Sequence, residues 1–297
     1  MIKIITLVLG FIFIFAGCSS KDRVLTHDLE KKEMIYSIKQ AKEIDMKEII
    51  NQIEPYSLVF VGDHHNTEKT HKFFQDLLTK MDQEGYNLYL INEWFTPEHD
   101  DLLEMFTSGK IDSLELKKKR EWDKFTKYKW EYVEPLYKAV KENTGKLYGM
   151  NLTKEQRTKI SLKQLDKMSE DEKKFYNSLD LKVSAHSKLV MPYLKHCNKM
   201  PKKSEEACEE RMYRVQVAWD TYMSENINKI VKQVIKSSKD KVFVFVGAMH
   251  IEQDLGIPLR FSRLNTLPFT TISNKKIDKK EDLEVEINKA DIVYIYE

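Results

Sequence analysis

The chain has 297 residues, with 49 Lys and Arg against 47 Asp and Glu, a formal net charge of +2, and 41% hydrophobic residues. That apolar content excludes an intrinsically disordered chain, and a mean hydropathy of −0.53 excludes a polytopic membrane protein. The near-balanced charge argues against a dedicated nucleic-acid binder, and 9 Gly leave little scope for a glycine-rich nucleotide loop.

Lys3 opens the chain with a positive charge, and an apolar run over 4–15 follows, broken only by Thr6 and Gly10. The run is too short to span a bilayer and has the length of a signal-peptide core. It ends in Phe15-Ala16-Gly17-Cys18, the pattern of a lipobox. This predicts a lipoprotein signal peptide over 1–17 and an acylated Cys18 carrying diacylglyceryl and palmitate chains, which anchor without a spanning helix. The rival is an ordinary cleaved signal with an incidental Cys. No Asp follows Cys18, so the expected address is the outer membrane of a Gram-negative cell, facing the periplasm. Residues 18–28 read as a polar tether. Once Cys18 is given to lipid, Cys197 and Cys208 remain. In an oxidising compartment they are expected to pair. A metal-binding pair is the rival, but the spacing matches no common zinc pattern.

A buried-strand pattern over 57–61 ends at Gly62, and a helix over 67–83 is stopped by Gly85. A strand over 88–92 leads to a helix over 96–106 with Pro97 in its first turn. A helix over 130–142 precedes a strand over 146–149. The strongest strand signal covers 241–246, and strands over 269–272 and 292–296 complete the series. Buried strands alternating with helices predict an α/β fold with a mainly parallel sheet flanked by helices. Residues 153–228 are charged and helical with no strand pattern. They read as a helical insertion over the carboxyl end of the sheet, within one α/β domain over 29–297. The charge runs at 117–120 and 279–282 read as solvated faces or turns.

Parallel sheets place ligand sites outside the carboxyl ends of their strands. Three strands here end in polar groups: Gly62-Asp63-His64-His65, Asn92-Glu93-Trp94 and Gly247-Ala248-Met249-His250. Asp63, His65, Glu93 and His250 are therefore expected to converge. Two carboxylates with two imidazoles suit metal binding or general acid–base chemistry. The competing expectation is that the acids cap helices and the histidines are satisfied core residues. A helix over 211–236 carries one apolar stripe through Met212, Val215, Trp219, Met223, Ile227, Ile230 and Val234. Gln216 and Asp220 fall inside that stripe and Tyr213 at its edge. A buried Asp220 needs partners, either at the site or at a loop that it orients.

These segments carry a family resemblance. Leu58 to His65, Glu93-Trp94-Phe95, Gln216 to Met223, and Gly247 to His250 followed by Gly256-Ile257-Pro258 resemble the ChaN family of haem-binding lipoproteins, within the Tiki and erythromycin-esterase-like superfamily. Two positions depart from the family pattern: Asp63 stands where Glu is commoner, and Ser224 where a small Ala often follows the Met. The resemblance implies haem as the ligand and a role in haem and iron uptake. It further implies haem iron held by a tyrosine, a partner-subunit histidine at the propionates, and two haems stacked across a homodimer. An outer-membrane haem receptor is a possible partner.

On that resemblance Tyr213 is the first candidate for the iron ligand. Arg211 and Arg214 flank it as propionate contacts, and Gln216 and Asp220 lie nearby. Tyr193 is the second, beside His196, with Met191 and Leu194 placed to face a porphyrin. His196 or His186 is the candidate propionate histidine. The alternative is a periplasmic hydrolase or metallohydrolase that uses Asp63, His65, Glu93 and His250.

Overall fold

The computed structural model describes residues 33–195, 197, 206–277 and 289–297, and the backbone of 24–25 and 285–286. Cys18, His196 and the charge run at 279–282 lie outside the described residues. Within the expected tether, Val24–Leu25 pairs antiparallel with Val285–Glu286.

The main sheet has eight strands: β1 (Glu33–Ser37), β2 (Lys42–Ile44), β3 (Leu58–Asp63), β4 (Asn87–Asn92), β5 (Lys146–Gly149), β6 (Asp240–Gly247), β7 (Phe269–Lys276) and β8 (Ile292–Tyr296). Their spatial order is β2-β1-β8-β7-β3-β6-β4-β5. Every pairing from β8 across to β5 is parallel, and β1 runs antiparallel to both β8 and β2. The helices are α1 (Met46–Ile53), α2 (Glu68–Gln83), α3 (Asp100–Thr107), α4 (Ser113–Lys119), α5 (Trp122–Phe125), α6 (Trp130–Glu142), α7 (Lys154–Ser161), α8 (Glu170–Asn177), α9 (Ser184–Leu194), α10 (Cys208–Val234) and α11 (Ile257–Ser262).

Strand alternation divides the core into two layers. Val59, Val61, Leu88, Leu90, Phe243 and Phe245 pack on one face against apolar residues of α1 to α6. Leu58, Phe60, Val242, Val244 and Val246 pack on the other, against Met223, Ile227 and Ile230 of α10 and Ile257 and Phe261 of α11. With both faces covered, the central strands β3 and β6 are buried along their whole length.

The expected elements at 130–142, 146–149 and 292–296 have those bounds. Three differences have local causes. The helix expected from 96 begins as a 3-10 turn, Pro97–His99, because the Thr96 and His99 side chains cap each other there at 2.8 Å. The run at 117–120 is not wholly solvated: Arg120 is half-buried, and its Nε and Nη2 donate to the Trp94 carbonyl at 3.1 and 2.9 Å. The expected apolar stripe on α10 is the buried face only of its second half. From Arg211 to Ala218 the helix is enclosed, with only Met212 partly exposed.

The insertion explains that enclosure. Among the described residues no strand lies between β5 and β6. Leu152, Ile160 and Met168 gather around Ala218, and Val190 of α9 packs with Tyr213 and Val217. The insertion is thus wrapped around the first half of α10, whose second half is bound to the sheet. Cys197 and Cys208 are joined, with Cα atoms 5.8 Å apart, and tie the segment after α9 to the first turn of α10.

Candidate functional site at the carboxyl edge of the sheet

The order of strands in the sheet places β6 between β3 and β4. The segments leaving these three strands are therefore neighbours, and their polar residues meet. His65 Nδ1 lies 2.9 Å from Asp63 Oδ2, and His65 Nε2 lies 3.0 Å from Glu93 Oε1. Thr70 of α2 donates to the other Asp63 oxygen at 3.0 Å, and His71 Nε2 lies 3.6 Å from Asp63. Gly247 is required here, because a Cβ at that position would stand 2.9 Å from His65 Nε2. His64 turns away to the Tyr296 hydroxyl at 3.2 Å.

A second set of contacts continues from the first. His250 Nε2 is 3.9 Å from Glu93 Oε2, and its Nδ1 is 2.5 Å from Asp220 Oδ1. The Gln216 amide lies 2.9 Å from the same His250 nitrogen. The other Asp220 oxygen is 3.1 Å from His186 Nε2 and 3.7 Å from Arg260. His186 Nδ1 lies 3.3 Å from the Tyr213 hydroxyl, which also donates to the Val183 carbonyl at 3.4 Å. Asp220 and His186 are fully buried. Gly256 lets the turn before α11 press on the His250 carbonyl, which a Cβ there would meet at 2.0 Å.

The charges settle as paired opposites. Burial pulls the pKa of His65 down, but the Glu93 charge and the Asp63 hydrogen bond outweigh it and raise it to about 10. Burial pushes Asp220 up, but the His250 charge and the His186 contact hold it down at about 2. The same balance lowers Glu93 and raises His250. Both nitrogens of His65 thus face carboxylates that favour its charged form. Among the described residues no three His, Cys, Asp or Glu side chains are placed to hold a metal ion.

Asp63, His65, Glu93 and His250 are therefore brought together, and Gln216, Asp220, His186 and Tyr213 are linked to them in one network. The other haem candidates stand apart from it. Arg214 is buried and bonded to Glu206 at 2.6 and 2.7 Å and to the Ile160 and Ser161 carbonyls. It is consumed in fastening α7 to α10. Arg211 is also buried, with Nη2 3.2 Å from Cys208 Sγ. Burial, the largest influence on Tyr213, raises its phenol pKa and outweighs the nearby Arg260 charge, contrary to a tyrosinate promoted by cations. Tyr193 is 58% exposed on α9. Met191 and Leu194 pack inward against the Val190, Tyr213 and Val217 cluster.

His65, Glu93 and His250 line a cleft of about 710 Å³ that opens beyond the strand ends. Its walls include Trp94, Phe125, Tyr128 and Trp219, with Arg120, Lys124, Lys154 and Arg157 around it. Sequence reasoning missed Arg120, Arg157, Tyr128 and Arg260. Arg260 alone carried a signal, since it follows Gly256-Ile257-Pro258 on the turn that packs against His250.

This is an α/β architecture with a mainly parallel sheet, a cleft at its carboxyl edge and a helical insertion that contributes to the cleft lining. The family model for haem-binding uptake proteins of the Tiki superfamily, ChaN, matches residues 49–261, and the chain belongs to that family. A solved structure of cofacial haem binding to ChaN of Campylobacter jejuni aligns with 90% of this chain and 98% of that one, at TM-score 0.68 and 16% identity. At that identity the likeness concerns the fold. An erythromycin esterase in its open conformation aligns with 88% of this chain and 97% of its own, at TM-score 0.48 and 9% identity. The type III effector HopBA1 aligns with 85% and 93%, at TM-score 0.47 and 15% identity. No curated protein matches the chain.

Proposed function

We propose that this protein binds haem at the face of α9 and serves haem and iron uptake as a lipid-anchored protein of the outer membrane. The observation that carries the proposal is membership of the haem-binding uptake family over residues 49–261. Acylation of Cys18 supplies the anchor and leaves the folded part facing the periplasm. No helix among the described residues is long and apolar enough to cross a membrane.

A tyrosinate is a hard oxygen donor and suits ferric haem. Exposure ranks Tyr193 above Tyr213 for this role, because the Tyr213 hydroxyl is directed at His186 and the Val183 carbonyl. Two haems that stack across a homodimer also require a ligand on an accessible face, and Tyr193 meets that requirement at 58% exposure. His196 lies three residues further on and is the propionate candidate for the partner haem. His186 is assigned instead to the buried network. An outer-membrane receptor is the proposed haem donor.

Titration of the mature protein with haemin tests this reading. Expected are saturation at one haemin per chain, a high-spin tyrosinate-type spectrum and a shift from monomer to dimer on sedimentation. No saturable spectral change would reject it.

A further inference from the structure

The cleft at the carboxyl edge has no assigned ligand. Of the haem candidates only Gln216 reaches its lining; Tyr193 and Tyr213 do not. Its polar chemistry is unbalanced in one direction. Arg120 is half-buried and, among the described residues, pairs with no carboxylate; it is held at 5.5 and 5.7 Å over the Phe95 and Phe125 rings. Arg157 of α7 also lines the cleft on its exposed side and lies 5.6 Å over the Trp219 ring, with no carboxylate partner among the described residues. Trp94 is 4% exposed, and its indole N–H has no acceptor among the described residues.

Arg120 and Trp94 lack a partner of the same kind, and Arg157 adds a second positive charge on the exposed side of the cleft. A half-buried guanidinium without a counter-charge is costly, and a buried indole N–H without an acceptor leaves a hydrogen bond unmade. Stacking on aromatic rings fixes the guanidiniums in place, so they lose little further freedom on meeting a planar anion. The acids that line the cleft do not fill the need: Glu93 faces His65 and His250, and the exposed Glu98 makes no ion pair with either arginine among the described residues.

We propose that the cleft binds a small aromatic organic anion, whose carboxylate or phosphate group meets Arg120 and Arg157 and whose ring lies among Trp219, Phe125 and Tyr128. The site is separate from the haem ligand at Tyr193 and does not depend on the haem reading.

The test uses apo-protein and follows tryptophan fluorescence during titration with phenyl phosphate, phenylacetate and the neutral 2-phenylethanol. Saturable change with at least one of the anions and none with the alcohol is expected. Arg157→Gln should weaken anion binding by about tenfold or more, as loss of a charge-assisted contact implies, while leaving the melting temperature in place. Arg120→Lys, which keeps the charge and loses the fork, should weaken it too. Absence of saturable anion binding, equal binding of the alcohol, or an unaffected Arg157→Gln variant would overturn the proposal. So would displacement of the bound anion by one equivalent of haemin. Haemin binding is read separately from its own absorption band, so either site can fail alone.

Discussion

The sheet-edge network and the outer face of α9 make opposite use of reactive side chains. At the sheet edge Asp63, His65, Glu93, His250, Asp220 and His186 face one another, and most of their polar atoms are spent on that contact. On α9, Tyr193 is 58% exposed, away from that network. The contrast teaches that a convergence of acids and histidines can hold elements together while three of its members, His65, Glu93 and His250, still line a cleft. Here it holds the insertion to the sheet through Asp220, which touches a strand-end histidine, an insertion histidine and an α11 arginine.

The largest expected effect breaks this contrast at its network side. Asp220→Ala leaves His250, His186 and Arg260 buried without their shared counter-charge, and removing one partner of a buried ion pair costs about 3–5 kcal/mol. Urea unfolding measures it, and a loss under 1 kcal/mol would show that the network does not hold the insertion. Next in size is the cross-link between α9 and α10. Replacing Cys197 and Cys208 together with Ser should cost about 2–4 kcal/mol, read as a lowered unfolding midpoint.

The pH dependence sharpens the comparison further. His65 rises from an ordinary 6.5 to about 10 in the folded protein. Its contribution is therefore fully present below about 6.5 and is lost as pH rises through about 10. Stability should decline across that window, and His65→Gln should flatten the decline. Asp220 acts at the other end: its contribution is present above 3.8 and is lost as pH falls through about 2. The smallest effect belongs to the exposed side, where Tyr193→Phe should change stability by no more than about 0.5 kcal/mol in the same urea titration.

Much of the fold was legible because its strands are buried on both faces. Continuous apolar runs such as Val242 to Val246 announce themselves without long-range information. β1 and β2 carried weaker signals, whereas α1 was missed although Asp45 and Glu48 form a capping box ahead of its buried Ile49, Ile50 and Ile53. β1 is five residues long and is paired to β8 from the far end of the chain. Its Met34 and Tyr36 form a small cluster with Val293 and Ile295 that no local period reveals.

The convergence of Asp63, His65, Glu93 and His250 was legible because it follows from strand ends alone. The state of those residues was not, because Asp220, which pairs with His250, comes from α10 and is itself held by His186 of α9 and Arg260 of α11. The same limit applies to the haem candidates. Spacing puts Arg214 beside Tyr213, but only the fold shows that Arg214 is spent on Glu206 and two carbonyls.

The central claim is that haem is held on the exposed face of α9 and not in the buried network. Parallel haemin titrations of the parent protein, Tyr193→Phe and Tyr213→Phe, read at the Soret and charge-transfer bands, test it most directly. Tyr193→Phe should lose the tyrosinate spectrum, while Tyr213→Phe should keep it with affinity within about threefold of the parent. A tyrosinate spectrum that survives in Tyr193→Phe and vanishes in Tyr213→Phe would contradict it.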